Sequence, residues 1–545
     1  MSGSDVAGWP TLGVDVRHAR EAARTGRSIL IRGGMVADGS GGPLCAADVL
    51  VADGVVAEIA ATGTLHPQFA LVLDATGQVV CPGFIDVHSH ADNAPLLDVD
   101  DLSKIQQGVT TEVVGNCGFS LAPVGAGRDG QLAGLLGRLF PPIDLEWSSF
   151  AELFRVTDAR GYVTNYAPLV GHNTLRIATM GMVSKAPDVD ELRQMTANLE
   201  TALAEGLLGL STGLGYPPGM FAPREELIAL ARVLPAGRLY ATHMRDEGSQ
   251  LLSSIAETLA VAKEAACQVQ VSHLKSGGRA NWGQIGAALR ALDDGRARGL
   301  AVGQDVYPYE AVSTMLTACL PSWFEEGDSE TVLGRLRNPS ALARARAEVS
   351  EGAVFRTGRD GVLVASTGSH RYEGSTLVEI AQQSGEDPFD ALVRILEEER
   401  LRATMVVVSM DEADVESALR HPATMVGSDG LPPGLGGRPH PRQYGTFPRV
   451  LQRYVRERKV LDVAEAVGKM TALPAETFGL KGRGRVRKGA IADLVVFSLA
   501  DVTEVGTYSD PVRAPRGISA VLMGGRPVMF AGEWLGSRRG RRLTA

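Results

Sequence analysis

Leu239-Tyr-Ala-Thr-His243 is a short run of strand-forming residues that stops on a histidine, and after a segment of helical period Val269-Gln-Val-Ser-His273 repeats the arrangement. Strand, helix and strand in that order make a βαβ unit, in which the helix carries the chain back so that the two strands lie parallel. The same alternation runs from Val79 to about Leu480. Upstream, Gly83-Phe-Ile-Asp-Val, Thr110-Thr-Glu-Val-Val, Tyr166-Ala-Pro-Leu-Val and Leu207-Leu-Gly-Leu-Ser read as further strands; downstream follow Leu300-Ala-Val-Gly-Gln-Asp-Val and Thr424-Met-Val-Gly-Ser-Asp. Eight such strands within α/β sequence predict a closed TIM (β/α)8 barrel.

The flanks have another texture. Ile29-Leu-Ile-Arg, Asp48-Val-Leu-Val and Val55-Val-Ala-Glu-Ile are short strands broken by Gly and Asp, and Ala492-Asp-Leu-Val-Val-Phe and Ile518-Ser-Ala-Val-Leu-Met share that habit. Two end segments of one texture predict a single small β-sandwich that the barrel interrupts, with residues 1–81 and 480–545 in the sandwich and 82–479 in the barrel. The piece from Pro321 to Arg402 is longer than an ordinary βα connection and carries helical runs of its own, such as Thr376 to Glu399. It is expected to be an insertion over the barrel mouth.

Composition removes several classes of function. With 44% hydrophobic and 21% charged residues the chain has enough apolar sequence for a large core and is not a disordered protein. A formal charge of −9 argues against nucleic acid as a partner, because phosphate binding needs a basic surface. The five cysteines, Cys45, Cys81, Cys117, Cys267 and Cys319, are scattered and lack CxxC spacing, so a reducing compartment is expected rather than a disulfide framework. The first ten residues lack the basic and apolar regions of a signal peptide, and no apolar run reaches membrane-spanning length. The expectation is a cytoplasmic enzyme with a small-molecule substrate and no membrane partner.

Catalytic groups of a TIM barrel come from the C-terminal ends of its strands. Asp86-Val-His88-Ser-His90 closes the first strand, and two histidines two apart on extended chain leave one face and can grip one metal ion. Cys117 follows the second strand, His243 ends the fifth, His273 the sixth, and Asp429 the eighth. A lone histidine or cysteine is ordinarily a packed or surface residue. That reading serves for Cys45, Cys81, Cys267 and Cys319, and for His18, His66, His172, His370, His421 and His440. It does not serve for His88, His90, Cys117, His243, His273 and Asp429, because six metal-type ligands fall at one end of five strands.

These segments carry a resemblance. Gly83-Phe-Ile-Asp-Val-His-Ser-His is similar to the first-strand motif of the amidohydrolase superfamily. Gly108-Val-Thr-Thr-Glu-Val-Val-Gly-Asn-Cys-Gly, Ser211-Thr-Gly-Leu-Gly-Tyr-Pro-Pro-Gly, Thr242-His-Met-Arg-Asp-Glu-Gly, Val271-Ser-His-Leu-Lys, Asp305-Val-Tyr-Pro-Tyr and Gly427-Ser-Asp-Gly resemble, in this order, its N-acyl-D-amino-acid deacylase (D-aminoacylase) branch. The resemblance covers nearly the whole chain. It implies a zinc enzyme in which Cys117, His243 and His273 hold a tight Zn2+, while His88, His90 and Asp429 complete a second, weaker position that Cys117 can bridge. A thiolate then stands in for the carboxylated lysine of related hydrolases, and Leu207-Leu-Gly-Leu-Ser indeed offers no lysine. Asp429 is placed as the catalytic general base.

The implied reaction is hydrolysis of the amide of an N-acyl-D-amino acid, which requires groups for a free carboxylate. By resemblance these are Lys275, Tyr216, Tyr307, Ser313 and Arg442, with Arg438 as an alternative to Arg442. Lys275 lies two residues past His273, on the same strand face. The same resemblance implies that Leu320-Pro-Ser-Trp-Phe and Val408-Ser-Met410 line the side-chain pocket, where Trp323 and Met410 are expected to favour neutral, hydrophobic D-residues unless Arg356, Arg359 or Arg371 reaches the mouth. An L-Xaa-D-Xaa dipeptidase fits the same residues, and a cyclic-amide hydrolase of the hydantoinase or dihydroorotase kind fits the barrel but not Cys117 or the missing lysine. A binding protein on a dead barrel is disfavoured because all six ligands are present.

Overall fold

In a computed structural model, which describes residues 12–349 and 361–544, the predicted strands close into a barrel. β1 (Phe84–Asp86), β2 (Val109–Val114) and β3 (Asn165–Pro168 with Val170–Gly171) run parallel. The ladder continues through β4 (Gly209–Gly213), β5 (Leu239–His243), β6 (Gln268–Val271), β7 (Val302–Val306) and β8 (Thr424–Val426), again parallel throughout. The ring closes where Ser89 pairs with Gly430 and the Asp429 N–H donates to the His88 carbonyl at 2.7 Å. All six residues of β2 are buried, as a strand covered by core on one face and helices on the other must be. Inside the ring, Ile85, Val113, Ala167, Ala241 and Met425 form a packed core that Phe478, Leu480 and Leu543 extend.

Val79–Pro82 pairs antiparallel with Leu494–Phe497, Val80 standing opposite Val496. Through this pair the amino-terminal strands (Ile29–Val36, Cys45–Ala52, Val55–Ala61, Leu71–Asp74) and the carboxy-terminal strands (Ile518–Met523, Arg526–Phe530, Glu533–Trp534) become one nine-stranded sheet. That sheet has its own core, which includes Ile29, Val49, Leu73, Leu494 and Leu522. Gly83 alone separates Pro82 from β1, so the sheet and the barrel meet without slack.

Between β7 and β8 the chain builds a further unit. Ala311–Met315, Ala403–Val408 and Leu363–Thr367 form a three-stranded antiparallel sheet, accompanied by the helices Ser329–Leu336, Pro339–Val349, Leu377–Ser384 and Pro388–Glu398. Leu316, Phe324, Leu336, Leu377, Leu392 and Ile395 close a separate core within it. Its edges lie near 311 and 408 rather than 321 and 402, because its first and last strands pair with each other and not with the barrel. The helical run from Thr376 is broken at Gly385, which takes a left-handed φ of 70° and caps the first of two helices. Among the described residues no helix is long and apolar enough to cross a membrane.

Candidate active site

The six ligand-type side chains converge at the C-terminal mouth of the barrel. His88 and His90 leave β1 on one face, and their Nε2 atoms stand 3.5 and 3.3 Å from Asp429 Oδ1. His88 Nε2 is 3.2 Å from Cys117 Sγ, and His273 Nε2 is 3.4 Å from the same sulfur. His243 Nδ1 lies 3.0 Å from His273 Nε2. Donors at zinc bond lengths around a tetrahedron stand about 3.6 Å apart for sulfur and nitrogen and about 3.3 Å apart for two nitrogens or nitrogen and oxygen. The spacings fit that geometry. The donors interleave more than the sequence division into two triplets implies: His88, Cys117, His273 and Asp429 lie within 4.8 Å of one another, and so do His243, Glu247 and His273. His273 belongs to both groups.

The backbone is strained where it delivers these groups. Cys117, His273 and Asp429 have φ of 52°, 35° and 50°, in the left-handed region that disfavours a side chain. Such strain costs on the order of 1–3 kcal/mol per residue and survives only where the surroundings over-determine the backbone. Gly115 supplies the turn out of β2 at φ 77°, where a Cβ would collide with the Leu169 carbonyl. Gly427 lets β8 lie against β1, since a Cβ there would meet that of His88 at 2.6 Å.

Burial would push the Cys117 thiol up, but the imidazoles of His88 and His273 hold its pKa well below the usual thiol range. Burial would likewise raise the Asp429 carboxyl, yet the Arg442 guanidinium, with Nη1 2.9 Å from Oδ2, and His273 hold it well below the carboxylate range. Burial disfavours the charged form of His88, which Cys117 and Asp305 outweigh to raise its pKa. A thiolate and a carboxylate ringed by imidazoles are the donor chemistry of a divalent-cation site.

Two carboxylates here were not singled out from sequence. Asp305, on β7, accepts from the His273 N–H at 2.8 Å and from Gln270 Nε2 at 2.7 Å, and lies 3.5 Å from His88 Nδ1. Glu247 lies 2.9 Å from His273 Nδ1 and accepts from Lys275 Nζ at 2.7 Å. The rule that found Asp429, a carboxylate near a strand end, applies to Asp305 as well. Glu247 sits in an irregular loop past β5, where sequence gives no periodicity to orient it.

Above the cluster is a cavity of about 310 Å³. Tyr216, Lys275, Tyr307 and Ser313 line it together with His90, Cys117, His243, His273 and Asp429. Tyr307 Oη and Ser313 Oγ are buried without a hydrogen-bond partner, whereas Tyr216 Oη meets Thr314 Oγ1 at 2.9 Å. Arg442 is fully buried beside this wall, its guanidinium 4.6 Å over the Tyr307 ring and its Nη2 donating to the Ser313 carbonyl at 3.0 Å. Arg438 is exposed and lies against Gly374. Met410 is buried in the large apolar cluster outside the barrel interior and Trp323 stacks on Arg344 in the insertion, and neither is among the cavity-lining residues. The apolar wall is Phe119, Leu139, Val312, Ala318 and Leu431 instead. The sequence expectation failed there because the residues that face the cavity depend on how the insertion's first strand folds back. Arg371 is exposed and pairs with Glu398, while Arg356 and Arg359 lie outside the described residues.

Comparison with known proteins agrees with this geometry. Residues 71–288 and 338–529 match the Amidohydrolase family. The N-acyl-D-glutamate deacylase of Alcaligenes xylosoxydans xylosoxydans is 39% identical over 502 residues, covering 91% of this chain and 92% of its own. A solved D-aminoacylase, whose binuclear metal centre was studied for its functional role, superposes with a TM-score of 0.81 at 36% identity, over 95% of this chain and 99% of that one. The N-acyl-D-glutamate deacylase of Bordetella bronchiseptica, complexed with zinc and a phosphonate mimic of the tetrahedral intermediate, gives 0.80 at 37% identity, over 95% and 99%. The chain belongs to the amidohydrolase family, in its N-acyl-D-amino-acid deacylase branch, and is a hydrolase of amide C–N bonds.

Proposed function

We propose that this enzyme uses zinc to hydrolyse the amide of N-acyl-D-amino acids, releasing a carboxylate and a free D-amino acid, and that it prefers neutral, hydrophobic D-residues. The observation that carries the reading is the cluster of Cys117, His243, His273, His90 and Asp429 on the floor of a cavity, with His88 directly beneath against Cys117 and Asp429, and a wall that holds the unpartnered hydroxyls of Tyr307 and Ser313 beside Arg442. Cys117, His243 and His273 would hold the tighter zinc, and His88, His90 and Asp429, with Cys117 beside them, a weaker second ion. What zinc supplies when bound is Lewis acidity, which polarises the scissile carbonyl and lowers the pKa of water toward about 7. Asp429, ionised at neutral pH, takes the proton of the attacking water and returns it to the departing amine. The Tyr307 and Ser313 hydroxyls donate to the substrate carboxylate, and Arg442, which stands behind them against Asp429, adds positive charge to that wall.

Relatives of similar identity differ in name by the side chain they accept, so identity does not choose among D-residues. The cavity wall supports the choice. Phe119, Leu139, Val312, Ala318 and Leu431 offer an acidic side chain no counterion, and Lys275, the one lining Lys or Arg among the described residues, is paired with Glu247. Burying an unpaired carboxylate is costly. The test is a screen of N-acetyl-D-leucine, N-acetyl-D-glutamate, N-acetyl-L-leucine and L-Xaa-D-Xaa dipeptides by released amine. N-acetyl-D-leucine is expected to have the highest kcat/KM. A higher value for the glutamate derivative refutes the side-chain assignment, and turnover of dipeptides alone refutes the deacylase reading.

A further inference from the structure

His243 and His273 present opposite ring nitrogens to the cluster, Nδ1 and Nε2 respectively, and the remaining nitrogen of each turns toward one carboxylate. Glu247 Oε1 lies 2.9 Å from His273 Nδ1, and Oε2 lies 3.7 Å from His243 Nε2. Oε2 also accepts from Lys275 Nζ at 2.7 Å. Glu247 is 13% exposed at its side chain, and its carbonyl accepts from the Gly277 N–H at 2.7 Å, which ties its loop to the segment that follows Lys275. The carboxylate therefore stands behind two metal-type histidines and beside a cavity lysine at once.

A histidine that offers a lone pair on Nε2 must carry its proton on Nδ1, and the acceptor facing Nδ1 selects that tautomer. Lys275 Nζ also approaches His273 Nδ1, at 2.7 Å. With Nε2 given to zinc, Nδ1 carries the ring proton, and two donors facing each other would repel unless both turn to the carboxylate between them. Without Glu247 both the ring nitrogen and the ammonium lose the acceptor that faces them.

We infer that Glu247 is a positioning residue shared by metal holding and substrate binding: it sets the tautomer of His273, steadies His243, and holds Lys275 at the cavity wall. The inference rests on the reading of Cys117, His243 and His273 as a zinc-holding set. It also bears on the substrate carboxylate: Lys275 arrives already paired with Glu247, as Arg442 is with Asp429, so Lys275 orients the carboxylate rather than neutralising it.

The experiment compares wild type, Glu247→Gln, Glu247→Asp and Lys275→Met, each loaded with zinc. Zinc release is followed by transfer to a chromogenic chelator, KM and kcat are measured on the preferred N-acetyl-D-amino acid, and thermal unfolding is recorded on the zinc-free proteins. Glu247→Gln is expected to weaken zinc retention by about 10–100-fold and to raise KM, with Glu247→Asp intermediate. Lys275→Met is expected to raise KM and leave zinc release unchanged, and zinc-free Glu247→Gln is expected to unfold where the zinc-free wild type does. The inference is overturned if Glu247→Gln retains zinc and KM like wild type, if Lys275→Met releases zinc as readily as Glu247→Gln, or if zinc-free Glu247→Gln is destabilised in proportion to its losses. Cys117→Ala separates this from failure of the zinc reading: a Cys117→Ala protein that keeps its zinc refutes that reading, whatever Glu247 does.

Discussion

Cys117 and Asp429 share the same backbone strain, and the proposed mechanism gives them different jobs that substitution separates. Asp429→Asn keeps the shape of the side chain but cannot accept a proton, so kcat is expected to fall by roughly 10²–10⁴. Zinc held by Cys117, His243 and His273 should change little. Near-normal turnover with full zinc would remove Asp429 from proton transfer. At Cys117 the φ of 52° adds a stability prediction. Glycine ordinarily costs about 1 kcal/mol against alanine through chain entropy, but here it also relieves left-handed strain of similar size. Zinc-free Cys117→Gly is therefore expected to be at least as stable as zinc-free Cys117→Ala in denaturant titration. A Gly variant weaker than Ala by a full 1 kcal/mol or so would show that no strain is stored there.

Elements carry the ligands into register, and most of them were legible before the structure. β5 spans Leu239–His243 as expected, and the βα pattern identified all eight barrel strands to within a few residues. The convergence of the six ligand-type side chains was legible for the same reason: a polar residue at the end of an apolar run is anomalous, and six such anomalies at one end point to a shared site. The insertion was not legible in the same detail. Its first and last strands in sequence, Ala311–Met315 and Ala403–Val408, are far apart along the chain and acquire meaning only by pairing with each other, so Val312 and Ala318 gave no sign of facing the cavity and Met410 was placed there wrongly. Glu247 escaped because a loop carboxylate has no period. The carboxy-terminal segment was also opaque. Leu543 joins the core at the barrel floor, its N–H donates to the Tyr166 carbonyl at 2.7 Å, the Tyr166 N–H donates to the Arg541 carbonyl at 2.9 Å, and Arg542 pairs with Asp158. Burial of one leucine contributes about 1.5–3 kcal/mol. Deleting residues 540–545 is expected to lower the unfolding midpoint by several degrees while zinc content and kcat persist. An unchanged midpoint would mean that the floor of the barrel is closed without this segment.

At the scale of the whole molecule, the barrel gathers ligands from five strands, the nine-stranded sheet joins the chain ends outside it, and the insertion lays its first strand along the cavity. Each part answers a separate physical need: a rigid ring to hold the strained ligands, a lateral sheet to fix where the barrel begins and ends, and a wall that decides which side chain enters. We propose that zinc held by Cys117, His243 and His273 makes this cavity a D-selective deacylase. The most direct test is one titration, in which protein stripped of metal by a chelator is given zinc in substoichiometric steps while amine release from N-acetyl-D-leucine and N-acetyl-L-leucine is followed. Activity on the D-substrate is predicted to rise linearly and to break near one equivalent, with the L-substrate staying at background. Full activity in the zinc-free protein, or equal rates on the two enantiomers, would contradict the account.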